Sequence, residues 1–222
     1  MKILYLILAR KNSKRLKNKN LSKINNQTLV QLTIKFAKKL TSSKNIVVST
    51  DSKKINLIAN KMGIKIPWLR PKNLSKDTSS SYEAAIHAIN WYEKNYESID
   101  TIILLQPTSP FRSIKTFKTA LSKFKKNPKL PLVTIKKVSF SSNKFFIKKN
   151  NLIKVYKPSK REDFIFVPNG SVFIINKKVL KKNKNFFSNK MNYVLNKNFK
   201  ENIDIDTQND LNVAKKIYFL SR

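Results

Sequence analysis

The chain has no cysteine and no long hydrophobic run among its 222 residues. The lack of cysteine excludes disulfides, thiolate metal sites and a cysteine nucleophile. No apolar stretch approaches the roughly 18 residues that a membrane-spanning helix needs. The N-terminus superficially resembles a signal peptide, but its apolar stretch is short and basic residues 10–15 stand where a small-residue cleavage site should be. We therefore expect residues 3–9 to form a buried strand, and the protein to be cytoplasmic with no membrane partner.

Acidic residues are scarce, because 12 Asp and Glu stand against 47 Lys and Arg, giving a formal net charge of +35. Such an excess is typical of proteins that bind polyanions such as nucleic acid. The excess is nearly all lysine, however, and the lysines are spread along the whole chain, as in a sequence of biased composition. A nucleic-acid-binding protein should instead show clustered arginines and stacking aromatics on one face. We favour biased composition and expect no specific nucleic-acid partner, with non-enzymatic polyanion binding as the alternative.

Short apolar runs alternate with helical patterns through the first two-thirds of the sequence. The apolar runs predict strands, and the hydrophobic residues between them recur at helical spacing. The predicted strands are residues 3–9, 45–49, 64–69 and 101–105. Gly63 follows a predicted helix and suits its left-handed C-terminal cap. The alternation predicts an α/β fold with a mainly parallel sheet covered by helices.

The pattern changes after Pro128, where short extended stretches follow one another with loops between them. These stretches are residues 132–138, 145–147, 152–156 and 171–175. We interpret the region at about 130–175 as a β-rich dimerisation insertion within a single domain of residues 1–222. Thr207 and Asp210 then form the pattern of a capping box at the start of a final helix.

Two segments carry groups that suit phosphate and metal chemistry. Ligands of open α/β sheets bind at the carboxyl ends of the strands, and the first such loop, residues 9–20, combines a hydroxyl with several cations. It suits a triphosphate, although an ordinary lysine-rich surface loop would look the same. Residues 203–206 are interpreted as a last strand on which Asp204 and Asp206 share one face. Paired carboxylates suit Mg²⁺, whereas the alternative is that Asp206 only caps the next helix; we favour the metal site.

Two further loops are polar. Residues 105–112 contain two prolines and present the amide of Gln106, the hydroxyls of Thr108 and Ser109, and the guanidinium of Arg112. These groups suit a polyhydroxylated acid, but turns often have the same composition. Residues 77–81 form a serine-rich segment that could contact a nucleobase or simply cap a helix.

Taken in order, these segments resemble the acylneuraminate cytidylyltransferase family. The family pattern A-R-x-x-S-K-x-x-x-x-K-N corresponds to residues 9–20, and V-S-T-D to residues 48–51. L-R-P and D-T-x-S-S correspond to residues 69–71 and 77–81. L-L-Q-P-T-S-P-x-R, P-N-G and I-D-I-D-T correspond to residues 104–112, 168–170 and 203–207. Each motif alone is weak, but their order and spacing across almost the whole chain are specific.

The resemblance implies a Rossmann-like nucleotidyltransferase fold, a homodimer, and Mg²⁺-dependent transfer of CMP from CTP to a nine-carbon sugar acid. It implies that CTP is bound by Arg10, Asn12, Ser13, Lys14, Lys19, Asn20, Arg70 and Ser80. It implies that the sugar acid is bound by Gln106, Thr108, Ser109, Lys144, Arg161 and Asn169, three of them from the β-rich insertion. Asp204 and Asp206 would hold the metal, and together with Arg10 and Lys14 they are the expected catalytic residues.

The intact residues 106–110 favour sialic or legionaminic acid over pseudaminic acid, while Kdo belongs to a branch with a different first loop. CMP-pseudaminic acid and CMP-Kdo synthetases remain the enzymatic alternatives. The first loop departs from the usual family pattern, because Lys11, Asn12 and Asn18 stand at positions that are commonly glycine. Asparagine tolerates left-handed backbone angles better than most residues, so Asn12 and Asn18 are the milder replacements.

Three aromatic or titratable features outside these motifs have less specific interpretations. His87 and Trp91 are interpreted as helix packing residues rather than catalytic ones. Phe186 and Phe187 either line the sugar site, as in relatives, or belong to the core or a dimer contact.

Overall fold

A computed structural model describes residues 1–139, 145–149, 152–156 and 164–220. Within these residues a six-stranded sheet has the order β10-β6-β9-β5-β1-β4. Strands β2 and β3, and strands β7 and β8, form two separate two-stranded sheets. The strands are β1 Ile3–Leu8, β2 Lys23–Ile24, β3 Gln27–Thr28, β4 Ile46–Ser49, β5 Thr101–Leu104, β6 Leu132–Ser139, β7 Phe145–Lys149, β8 Leu152–Tyr156, β9 Phe164–Asn176 and β10 Asn192–Leu195. The helices are α1 Leu29–Lys38, α2 Lys53–Lys61, α3 Ser81–Asn95, α4 Ile114–Lys126, α5 Lys177–Asn183 and α6 Gln208–Phe219.

The central sheet is mainly parallel, as the sequence predicts. Strand β1 pairs in parallel with β4 and with β5, so that Leu6 lies opposite Val47 on one side and Leu104 on the other. Strand β9 runs antiparallel to both β5 and β6, and β10 is parallel to β6. In the described sheet, only β9 therefore opposes the common direction. The carboxyl ends of β1 and β5 consequently open onto the same edge, where the functional loops follow.

The helices begin where the sequence supplies a side-chain cap. Thr28 caps α1 in a capping box with Gln31, and Ser80 caps α3 with Glu83. Thr207 and Asp210 form the predicted capping box of α6. Each cap satisfies backbone N–H groups that the first helical turn leaves without intrahelical partners. None of the described helices is long and apolar enough to cross a membrane.

Hydrophobic burial divides into a main core and a smaller cluster. The main core is built from β1, β4 and β5 and from the inner faces of the helices, with Leu6, Val48 and Ile103 fully or almost fully buried. The smaller cluster joins Ile24, Leu29 and Leu211 to Ile203 and Ile205. This second cluster fixes the segment that carries the two candidate metal-binding aspartates.

Two predicted strands are wrong, and three strands, the two-residue β2 and β3 and the longer β10, were not predicted. Residues 64–69 form no ladder, because the Asn56 side-chain amide donates to the carbonyls of Ile66 and Trp68 at 3.0 and 3.1 Å and Pro67 has no N–H. Residues 203–206 are extended without strand pairing. Strand β10, a short and half-exposed edge strand, was missed. Gly63 does adopt the expected left-handed conformation, with φ of 81°.

The β-rich region is only partly separate from the sheet. Strands β6 and β9 pair within the central sheet, and β9 begins at Phe164, well before the predicted stretch. Strands β7 and β8 pair with each other as a two-stranded hairpin. The predicted insertion therefore contains two strands that complete the main sheet.

Candidate functional site

The main functional candidate is a cavity of about 720 Å³ at the carboxyl ends of β1 and β5. Three loops and the extended segment after β10 surround it. Predicted site residues that line it are Arg10, Ser13, Lys14, Lys19, Asn20, Arg70, Ser80, Gln106, Thr108, Asp204 and Asp206. Residues from positions far apart in the sequence are thus brought to one cleft at the edge where open α/β sheets bind ligands.

The first loop, residues 9–20, is fixed by hydrogen bonds to backbone carbonyls rather than by glycines. The Ala9 N–H donates to Ser49 at 3.0 Å, and the Asn20 amide donates to the Arg10 carbonyl at 2.9 Å. Asn18 adopts a left-handed conformation with φ of 54°, at a position where relatives usually have glycine. This agrees with the expected tolerance of asparagine for such angles. Asn12 is exposed and does not line the cavity.

Arg10 and Lys14 both pair with Asp77, which reaches across from the loop before α3. Arg10 makes a close ion pair with this carboxylate, and the Lys14 Nζ lies 3.4 Å from Asp77 Oδ2. Desolvation raises the pKa of Asp77, but its hydrogen bonds and charge interactions with Lys14 and Arg10 outweigh that effect and leave the pKa below its ordinary value. Asp77 was not predicted as a site residue, although it begins the D-T-x-S-S motif.

A second group of ion pairs also lines the cavity. Arg15 and Lys19 donate to the two carboxylate oxygens of Asp206 at 2.5 and 2.7 Å. Arg15 lines the cavity and is a further residue that the sequence-based site assignment missed. Its position in a loop already full of cations was the available signal.

Asp204 lies in the same wall of the cavity as Asp206, but in a drier environment. Its Oδ1 atom is buried and has no protein hydrogen-bond partner. Burial and the nearby charge of Asp206 raise its pKa, while Thr108, Lys19 and Lys136 act in the opposite direction. Ile203 and Ile205 point into the small cluster, and the Ile205 N–H donates to Thr108 at 2.8 Å. The predicted alternation of buried isoleucines and cavity-lining aspartates is therefore present without a strand.

Some residues of the loop after β5 line the cavity, and others are buried in the protein interior. Gln106 and Thr108 line the cavity, whereas the Ser109 hydroxyl is buried and donates to the Asn169 carbonyl at 3.0 Å. Arg112 does not present its guanidinium to a ligand as expected. It donates instead to the carbonyls of Ser171, at 2.7 Å, and Gln106. This fork joins the loop to β9, and desolvation lowers the pKa of Arg112.

Asn169 is fully buried and does not line the cavity, unlike the expected sugar contact. Its side-chain oxygen accepts from the Thr134 hydroxyl at 2.6 Å, and its amide donates to Asn202 at 3.0 Å. It therefore connects β6 and β9 to the segment that leads into Asp204. The other two expected contacts from the insertion, Lys144 and Arg161, lie outside the described residues.

Arg70 and Ser80 lie beside the first loop, on the side of the cavity formed by residues 70–81. Arg70 is buried, and its Nε donates to Ser75 Oγ at 3.2 Å. Burial is the main cause that lowers its pKa, and the nearby Arg10 acts in the same direction. Ser80 is the N-cap of α3, so its side chain has a structural role as well as a place in the cavity wall.

A smaller aromatic cavity of about 220 Å³ adjoins the main one. The two share Ser80 and Gln106, and the smaller one is lined by Phe173, Phe186 and Phe187. Phe186 is buried, whereas Phe187 is 43% exposed and packs edge-on against Phe173. The main cavity, lined by cations and two aspartates, is therefore continuous with a smaller cavity that is lined by aromatic rings.

His87 has a packing role, as the sequence predicts. Its ring contacts Trp68 edge-on, with centroids 4.6 Å apart, and burial lowers its pKa. It does not line the main cavity.

Comparison with known proteins gives a consistent family. A family model described as cytidylyltransferase matches residues 4–221. The chain is 33% identical to the CMP-N,N'-diacetyllegionaminic acid synthase of Legionella pneumophila, with 100% of this chain and 98% of that relative aligned. It is 28% identical to a pseudaminic acid cytidylyltransferase of Campylobacter jejuni, covering 98% of this chain and 97% of that protein.

Of two further matches, one is to a much longer protein and the other has a much lower sequence identity. The chain is 32% identical to an Escherichia coli N-acylneuraminate cytidylyltransferase over 96% of its own length but spans only 51% of that protein. Among solved structures, a CMP:2-keto-3-deoxy-manno-octonic acid synthetase complexed with CTP aligns over the whole of both chains, with a TM-score of 0.69 and 15% identity. At that identity the likeness shows the fold alone. Because the family model covers nearly all of the sequence, the chain belongs to the cytidylyltransferase family, as a nucleotidyltransferase of the acylneuraminate cytidylyltransferase type.

Proposed function

We propose that the protein transfers CMP from CTP to a nonulosonic acid of the sialic or legionaminic type and releases pyrophosphate in a Mg²⁺-dependent reaction. One observation carries the proposal: a cation-rich loop and two aspartates line one cavity, which adjoins a smaller aromatic cavity. The named relatives act on legionaminic, neuraminic and pseudaminic acids, all of them nonulosonic acids.

The cation-rich loop is proposed to hold the triphosphate. A triphosphate carries about four negative charges, and charge-assisted hydrogen bonds to phosphate are among the stronger interactions in proteins. Arg10, Ser13, Lys14 and Lys19 of this loop line the cavity and would surround the phosphates. Asn20, Arg70 and Ser80 would contact the nucleoside, with Asn12 as an outer contact.

The loop after β5 and the aromatic cavity are proposed to hold the sugar acid. Gln106 and Thr108 would bind its hydroxyl and amide groups, and the pocket of Phe173, Phe186 and Phe187 would enclose an apolar substituent such as an acyl methyl. The buried Ser109 and Asn169 would support this wall rather than touch the sugar. Lys144 and Arg161 remain predicted contacts from the β-rich insertion.

The two aspartates fit a hard divalent cation. Asp204 has a buried oxygen without a partner, and Asp206 lies in the same cavity wall. The described residues contain no group of three or more acidic or histidine ligands, so the remaining ligands would be water and phosphate oxygens, as is usual for Mg²⁺. When bound, Mg²⁺ would neutralise charge that develops on the phosphates.

In the proposed reaction the sugar's anomeric hydroxyl oxygen attacks the α-phosphorus of CTP. A new P–O bond forms, the bond from the α-phosphorus to the bridging oxygen breaks, and pyrophosphate leaves. Arg10 and Lys14 would stabilise the departing negative charge, and one of the two aspartates would help to remove the hydroxyl proton. Catalysis would then rest mainly on positioning and charge neutralisation.

We also propose a cytoplasmic homodimer of single-domain subunits, with the region at about 130–175 as the dimerisation insertion. Ile165 and Phe166, near the start of β9, are 45% and 49% exposed, and exposed apolar side chains are available for a contact between subunits. Light scattering after size-exclusion chromatography in moderate salt should give the mass of a dimer. A monomer at all concentrations would contradict this assembly.

The substrate is tested by offering CTP and Mg²⁺ with a panel of N-acetylneuraminic, legionaminic, pseudaminic and Kdo acids, and detecting the CMP-sugar by mass spectrometry. We expect product with neuraminic or legionaminic acid. Product only with pseudaminic acid or Kdo would replace the proposed sugar, and no product with any acid from folded protein would contradict the proposed activity.

A further inference from the structure

The cations that would meet the triphosphate are already paired with carboxylates. Four basic side chains of the first loop line the main cavity, and each makes an ion pair with an aspartate from another segment. The partners of Arg10 and Lys14 and of Arg15 and Lys19 are Asp77 and Asp206, respectively. Asp206 belongs to the proposed metal site, but the proposed reaction assigns no role to Asp77.

The segment that carries Asp77 is held in place by its own hydrogen bonds. The Ser79 hydroxyl donates to the Asn73 carbonyl at 2.7 Å, and the Lys76 N–H donates to Ser79 Oγ at 3.1 Å. Ser80 then caps α3. The carboxylate is therefore delivered to the first loop by a folded turn, and its contact with Arg10 and Lys14 is part of the built structure.

We propose that Asp77 is a placeholder for nucleotide phosphate: it occupies Arg10 and Lys14 while the site is empty and must release them when CTP binds. This rests on the proposed function of the cavity. Asp77 would be a positioning residue, because it acts through the two cations and not on the reacting atoms. It keeps the cations oriented before binding, and its negative charge lowers the affinity of the site for every phosphorylated ligand, including the product pyrophosphate.

The placeholder has a specific consequence for ligands of different charge. Replacing Asp77 by asparagine removes two ion pairs that a phosphate must displace, and one negative charge that repels it. The gain in affinity should be large for CTP and pyrophosphate and absent for cytidine, which has no phosphate. It should also shrink with salt, because these ion pairs are partly exposed and screened.

The test compares wild-type protein with Asp77→Asn by isothermal titration calorimetry without divalent metal, using CTP, pyrophosphate and cytidine. Glu97→Gln is the matched control, because it also removes one negative charge and an exposed ion pair, to Lys2, but does not line the cavity. We expect Asp77→Asn to bind CTP and pyrophosphate about three- to tenfold more tightly at about 50 mM salt, and much less so at about 500 mM. Cytidine affinity should stay unchanged, and Glu97→Gln should match the wild type.

Three results would overturn the proposal. Weaker CTP binding by Asp77→Asn would mean that the carboxylate mainly orients the cations. An equal change for CTP and cytidine would mean a general structural effect, and an equal change in Glu97→Gln would mean an effect of net charge alone. Failure of CTP to bind to the wild type and to both variants would instead contradict the proposed function of the cavity, and the placeholder with it.

Discussion

Gly170 is the position at which a single added methyl should do most harm to the sugar side of the cleft. A Cβ at this residue would lie 2.7 Å from Ser109 Oγ, 2.9 Å from Gln106 Oε1 and 3.5 Å from Asp204 Oδ1. The first two distances are too short for a carbon atom, so the Ser109 and Gln106 side chains would have to move. A misplacement of about 1 Å in an active site can cost on the order of 100-fold in rate.

Backbone strain adds a second effect, which the other glycine of the chain can isolate. Gly170 has φ of 72°, and an L-residue in this left-handed region costs roughly 1–2 kcal/mol. Gly63 has φ of 81°, but a Cβ there would have its nearest neighbours at 3.8 and 3.9 Å, which is ordinary contact. Gly63→Ala therefore carries the strain without the crowding. Both variants should lose about 2–8 °C in melting temperature for a domain of this size.

The kinetic assay separates the two variants. With pyrophosphate release measured at varied sugar acid, Gly170→Ala should raise KM for the sugar and lower kcat, reducing kcat/KM by roughly 100-fold. Gly63→Ala should keep nearly the wild-type values. The reasoning is refuted if the two variants have equal kcat/KM, or if Gly170→Ala leaves the sugar dependence unchanged.

Three more outcomes follow from the contacts around the site. Arg112→Lys keeps the charge but loses the guanidinium fork that donates to the Ser171 and Gln106 carbonyls. Leaving an acceptor unsatisfied costs roughly 1–3 kcal/mol, so we expect a melting temperature at least about 3 °C lower by calorimetry. An unchanged melting temperature would contradict that role. Burial raises the pKa of Asp204 in the folded protein. Protonated Asp204 therefore contributes to folding stability below the ordinary aspartate pKa, and this contribution is lost as pH rises through the raised pKa. Metal-free Asp204→Asn should therefore melt above the wild type at about pH 7, with the difference vanishing towards about pH 4, whereas a difference independent of pH would contradict the assignment. Asp210→Ala removes the α6 capping box, together with the acceptor of the Asp206 N–H, and should cost about 1 kcal/mol of unfolding free energy; an unchanged value in chemical denaturation would contradict that role.

Local sequence patterns were enough to predict most of the fold. The continuous apolar run of β1 and the helical spacing of α1 and α3 mark elements whose burial is decided within the segment itself. Capping residues such as Thr28 and Thr207 mark helix starts for the same reason. These signals sufficed to predict a mainly parallel α/β sheet.

The errors in the fold come from interactions that no local pattern records. Residues 64–69 are apolar enough for a strand, but Asn56 from the preceding helix binds their carbonyls. Strand β10 pairs with the distant strand β6 at the edge of the sheet, and its residues are half-exposed. A short sequence cannot indicate which distant partner will satisfy its backbone.

The candidate site was also predicted correctly where local motifs decide it and wrongly where distant contacts do. The motifs brought eleven predicted residues to one cavity. Those after β1 and β5 follow strands that end at the same edge of the sheet, whereas Arg70, Ser80 and the two aspartates reach the cavity on segments that are not strands. Asn169 and Arg112 were misplaced, since polar residues in a motif look alike whether they face a ligand or hold two loops together. The ion pair of Asp77 with Arg10 joins two loops more than sixty positions apart, and this pairing is visible only in three dimensions.

The most direct test of the proposed chemistry is pyrophosphate release from CTP by the wild type and by Asp204→Ala and Asp206→Ala variants that remain folded. We expect release that requires CTP, Mg²⁺ and a nonulosonic acid, and that falls by at least about 100-fold in each variant, the order of effect seen when a main electrostatic group of an active site is removed. Undiminished release in both variants would contradict the role of the paired aspartates, and no release by the folded wild type with any sugar acid would contradict the proposed function itself.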